Sequence, residues 1–163
     1  METDVDVDRA EVYAAELSAF DGTDLEQVRS FDAIVALVEL VINGGWWPGP
    51  EVDVVSARSD ARSSCARQLA DGVVQVRIAT RSQATWATAA HELAHALAGV
   101  ASGHGPYFRR AYLDVIVEVT NRLPGGRRGT VHADQLAAAF AASSLDVSSR
   151  HWPRPSAGDP FVL

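Results

Sequence analysis

The stretch HELAHALAGVASGHGPYF, residues 91–108, limits what this chain can fold into more than any other. His91 and His95 stand four residues apart, and Glu92 follows the first of them. In a helix turning about 100° per residue, positions four apart lie within about 40° of each other, so two imidazoles project from successive turns of one face. Glu92 is rotated by about 100° from His91, off that line but beside it. The surrounding residues suit an amphipathic helix over 82–99. Trp86, Ala90, Leu93, Ala94 and Leu97 fall on the opposite side, with Ala87 and Ala98 at its margin, while Thr85 and Thr88 share the His/Glu side. The rest of the chain must build a core against the apolar face and keep the other face for polar work.

Two imidazoles at this spacing can reach one metal ion, and the glutamate beside them can take a proton instead of a coordination site. Tetrahedral catalytic sites use three protein ligands and leave the fourth place for water. One scheme for the third ligand is excluded. The pattern H-E-x-x-H-x-x-G-x-x-H needs a histidine where Ala101 stands, and Gly99 falls one place too late for it. His104 is the first candidate, because a loop leaving the helix at Gly99 can bring its imidazole back over the helix. Asp114 and Glu118 on the next helix are the rivals. With His104 as ligand they become acceptors for an imidazole N–H. Tyr107, Tyr112 and His132 are candidate donors to an oxyanion.

The 163 residues suffice for one domain with one core. No apolar run approaches the roughly 20 residues that span a bilayer, so no membrane partner is expected. The acidic start METDVDVDR has neither the basic nor the apolar region of a secretory leader, which makes a cytoplasmic location the expectation. A single cysteine, Cys65, rules out an intrachain disulfide or a Cys-rich zinc ribbon, and is expected as a small buried apolar residue. A formal charge of −7 argues against nucleic acid as a partner. Arg109-Arg110 and Arg127-Arg128 read as solvated helix and loop surface.

Along the chain, 1–8 reads as an acidic tail, 9–147 as the folded domain and 148–163 as a Pro/Ser-rich tail. A helix is expected over 9–20, facing inward through Val12, Ala15, Leu17 and Phe20. A second, capped by Asp24, is expected over about 24–43. NGGWWPGP (43–50) reads as a turn whose Trp46 and Trp47 cover the core. EVDVVSA (51–57) reads as a strand, and 64–70 with 73–79 as a hairpin in which Asp71-Gly72 supplies positive φ angles. Helices over 106–121, opened by Pro106, and 132–143 complete an α+β domain with a small mixed sheet of about three strands.

HELAHAL followed by HGPYF resembles the SprT-like branch of the zincin metallopeptidases, in which H-E-x-x-H is followed by an H-G-x-x-F element carrying the third ligand. It is more similar still to the small single-domain metallohydrolases of actinobacteria and their phages. The resemblance covers about residues 73–120. It implies a zincin-like domain with a small sheet packed on the active-site helix, flanked by N- and C-terminal helices. It implies one Zn2+ per chain held by His91, His95 and His104, with Glu92 as catalytic base and Phe108 packed behind the His104 turn. It further implies a peptide or protein substrate, paired with strand 73–79 as an edge strand and hydrolysed by Glu92-assisted attack of a zinc-activated water. The chain has neither the Cys-based zinc ribbon nor the basic surface of the DNA-associated members. The alternative is a metal-stabilised binding or regulatory protein, whose coordination is closed by Glu118, Asp114 or His132 and which turns nothing over.

Overall fold

The computed structural model describes residues 6, 8–80, 82–123 and 130–155. Arg127-Arg128 and the last residues of the Pro/Ser-rich tail lie outside them. The described residues form five α-helices and a three-stranded mixed sheet, an α+β arrangement.

Helix α1 (Arg9–Phe20) buries Val12, Ala15, Glu16 and Phe20, the i, i+3, i+4, i+8 spacing of one helix face. Leu17 is not on that face; it is 60% exposed. The second helix starts later than the sequence suggests. Asp24 opens only a short 3-10 turn (Asp24–Glu26), and Gln27 is extended. Arg29 then donates its backbone N–H to Ala84 O at 2.7 Å, a bond a helix would have taken for itself. Helix α2 (Phe31–Ile42) begins only after this tie, capped by Ser30, whose Oγ accepts from Ala33 N. Trp46 and Trp47 are partly buried against the core, as expected of a covering loop.

The strands are β1 (Val52–Ser56), β2 (Cys65–Gln68) and β3 (Val74–Ile78), in the order β1-β3-β2. β2 and β3 form the expected antiparallel hairpin, and β1 runs parallel to β3. In the turn only Gly72 takes a positive φ, +87°. Asp71 instead accepts Val73 N–H on its carboxylate. β3 is therefore the central strand, with both edges filled, and not the edge strand expected. Val74, Val76 and Ile78 face the core. Cys65 and Arg77 pair across the opposite side, so Cys65 is exposed and not a core residue.

Helix α3 (Trp86–Ala98) is capped by Thr85, whose Oγ1 accepts from Thr88 N, and ends at Gly99 with φ +97°. A short 3-10 turn leads to α4 (Pro106–Arg122), with Pro106 in its first turn, and α5 (Val131–Ala142) follows. α3 packs on α4 and against the core side of the sheet; α5 packs on α1 and α4. Residues 148–155 carry no regular secondary structure but lie along α4. Arg110 Nε donates to Ser148 O, and Trp152 is buried. Arg109 is no solvated surface group either: it is 2% exposed and donates to Asp8, His104 O and Asp146 O.

Candidate metal centre

α3 carries His91, Glu92 and His95 on the side that faces α1 and the loop before α4. Gly99 and Gly103, both at positive φ, let the chain double back so that His104 returns over the helix. The ligand-capable atoms of His91, His95 and His104 all lie within 4.8 Å of one another. His91 and His104 are buried, His95 partly so. Phe108, in the first turn of α4, packs against all three rings, with centroid distances of 4.9, 4.3 and 4.9 Å.

Two carboxylates fix the imidazoles from behind. His91 Nδ1 lies 3.0 Å from Glu16 Oε2, and Tyr112 OH donates to the other oxygen of the same carboxylate. His104 Nδ1 bonds Asp6 Oδ2, and the backbone N–H of His104 lies 3.4 Å from Asp6 Oδ1. A carboxylate only accepts, so each Nδ1 carries the hydrogen, and in the neutral ring each Nε2 presents a lone pair. Those two Nε2 atoms are 3.1 Å apart. Facing lone pairs at that distance repel unless a proton or a metal ion lies between them. Three nitrogens on one tetrahedral ion at about 2.0–2.1 Å would stand roughly 3.3 Å from each other. The donor set and the His91–His104 spacing fit a metal ion, and with the His95 nitrogen within 4.8 Å of both the three histidines could hold one.

Electrostatics sort the three rings. Burial opposes protonation of His91, but the charge and hydrogen bond of Glu16, helped by Glu92, outweigh it and leave its pKa above the ordinary value. Burial, then repulsion from His91 and His104, pushes His95 down to about 3. His104 is also lowered, by burial, against the pull of Asp6. Glu92 is raised to about 7, mainly by burial. Its Oε2 is buried with no hydrogen-bond partner among the described residues, and it stands outside the histidine cluster.

A cleft of about 450 Å³ reaches His91 and Glu92. Arg9, Tyr13 and Leu17 of α1 line it, as do Ser63, Ser64, Gln83 and Thr88. Tyr13 stacks on His91 at 5.2 Å between centroids with planes 13° apart. Compared with known proteins, the chain matches no family model, no curated protein and no solved structure.

The other expected site residues are placed elsewhere. Asp114 receives Arg150 at 2.7 and 2.9 Å and the Trp152 indole N–H at 2.8 Å, so its carboxylate is engaged by the segment after α5. Glu118 lies 3.8 Å from Arg122, one turn along α4. Neither accepts from a histidine of the cluster. His132 packs edge-on to Phe20 and lies 3.9 Å from Asp24. Tyr107 is 45% exposed and meets His151. Tyr112 is close to His91, but its hydroxyl is turned to Glu16 and Ala87 O. Among the described residues no fourth protein ligand joins the three histidines.

The acceptors that do serve the imidazoles, Glu16 and Asp6, escape a reading of the sequence. Glu16 had one signal: it sits between Val12 and Phe20 at i+4 spacing, a charge in the middle of an apolar stripe. Asp6 had none, since one of several acidic residues before a helix looks solvated.

Proposed function

We propose that this chain is a zinc-dependent metallohydrolase that cleaves peptide bonds. The observation that carries the reading is a three-histidine centre joined by no fourth protein ligand among the described residues, with the unpartnered carboxyl oxygen of Glu92 beside it. Three neutral imidazoles suit zinc, which when bound supplies Lewis-acid activation of water and of the carbonyl under attack.

The chain's own residues supply the rest. Glu16 and Asp6 hold the tautomers in which His91 and His104 offer Nε2. Glu92, buried and near neutrality in its proton affinity, takes the proton of the attacking water and passes it to the leaving nitrogen. The β3 partner of β2 fills one of its edges, and Ser63 and Ser64, which lead into β2, line the cleft. An extended peptide added along the other edge of β2 would run past Glu92, with Tyr13 and Leu17 as the apolar wall opposite. β2 thus takes the role that the resemblance gives to strand 73–79.

The test is Glu92→Gln against a peptide library, with metal content measured on protein purified without chelator. The parent should carry zinc and cleave. The variant should keep its zinc and lose about 10²–10⁴-fold in turnover. A variant that cleaves as fast as the parent removes Glu92 as the base, and a parent that takes up no zinc removes the reading.

A further inference from the structure

Asp6 and Asp8 stand just ahead of α1; Asp6 reaches His104 itself, and Asp8 reaches Arg109 of α4, which donates to His104 O. Asp6 gives one carboxylate oxygen to the ring of His104 and the other to its backbone N–H. Gly103 leaves room for this: a Cβ there would meet the Asp6 carboxylate at 3.1 Å. Asp8 occupies the N-cap of α1 but makes no side-chain cap bond. Its carboxylate goes instead to Arg109 at 2.9 Å, and the same guanidinium nitrogen donates to His104 O at 2.8 Å. The residue that brings the third imidazole is thus gripped at its ring, its N–H and its carbonyl, and the segment ahead of α1 supplies or supports each grip.

We propose that Asp6, with Asp8 behind it, positions His104 for the metal, so that docking of this segment and metal binding strengthen each other. Asp6 is a positioning residue: it fixes which nitrogen of His104 faces the cluster and orients the ring. Because coupling between two binding events is reciprocal, a metal ion on His104 also holds the segment in place. The inference concerns metal affinity and holds whether or not the site turns over a peptide.

The test is zinc affinity by chelator competition on the full chain and on Asp6→Asn and Asp8→Asn, with the visible spectrum of the cobalt(II) form as a second readout. Melting of the metal-free proteins checks that each variant folds. Asp6→Asn is expected to weaken zinc by about 10–100-fold and to alter the cobalt(II) bands, and Asp6→Glu to restore part of the loss. Asp8→Asn, which touches no imidazole, is expected to weaken zinc by a smaller factor. Unchanged affinity in either Asn variant overturns the proposal: in the first because Asp6 then positions nothing, in the second because docking is then uncoupled. A parent with no zinc affinity overturns it together with the metal centre itself, and that failure shows before any variant is made.

Discussion

His91 Nε2 and His104 Nε2 lie 3.1 Å apart while the Nδ1 atoms behind them are bound to carboxylates. A ring pair held in this way takes either a proton or a metal ion between its Nε2 atoms, and a metal ion at the site displaces the proton. Metal should therefore stabilise the fold. At free zinc about 100 times the dissociation constant the gain is about 2.7 kcal/mol, seen as a rise of several degrees in Tm. Adding a chelator should reverse it, and His91→Ala or His104→Ala should abolish it. A Tm indifferent to zinc in the parent would mean that the three rings hold nothing.

Proton release should accompany metal binding. At pH 7 the metal-free site retains protons, because Glu92 titrates near 7 and His91 above the ordinary histidine value. A metal ion needs His91 neutral and disfavours a protonated Glu92, so both groups give protons up. The number released should grow as pH falls from 8 to 6 and shrink as it rises, since the metal-free groups are then already deprotonated. His95, held down near 3, contributes none across that range. Calorimetry of zinc binding in buffers of different ionisation enthalpy counts the protons; a buffer-independent heat at pH 6 would contradict this. Glu16→Gln removes the charge that raises His91 and should lower the release at pH 7.

The helix that carries the motif depends on its cap. Thr85 Oγ1 accepts Thr88 N–H at 3.1 Å and is itself buried. Thr85→Ala should cost about 1 kcal/mol in urea unfolding, and Thr85→Ser much less. Equal losses in the two would assign the effect to packing of the Thr85 methyl group.

The local part of this fold was legible. The i, i+4 histidines, the Gly99 exit and Pro106 are short-range signals, and they brought His104 to His91 and His95 as the spacing suggests. The β2–β3 hairpin was legible for the same reason, since Gly72 marks its turn. The parallel pairing of β1 with β3 was not. It makes β3 central through a contact distant in sequence, which periodicity within a strand cannot report. The start of α2 was misplaced because Asp24 and Ser30 are both good caps, and only the bond from Arg29 to Ala84 decides between them. Glu16 and Asp6 reach their imidazoles from 75 and 98 residues away, farther than any spacing rule extends.

Asp114 gives the sharpest separation between a structural carboxylate and a ligand. Its side chain is buried and takes three hydrogen bonds from Arg150 and Trp152. Asp114→Ala leaves the Trp152 N–H unpaired and frees Arg150, a loss of about 2–3 kcal/mol for hydrogen bonds to a charged group. Arg150 is 22% exposed, so water compensates part of its share. Zinc affinity should stay within about twofold of the parent, because the carboxylate that made Asp114 a rival ligand on the next helix is engaged by Arg150 and Trp152. Glu118→Gln should change neither stability nor affinity by much, its partner Arg122 being 3.8 Å away and partly solvated. Chelator competition and urea unfolding on the two variants read both quantities. A large fall in zinc affinity in either would restore a carboxylate to the coordination sphere and close the position that Glu92 is proposed to serve.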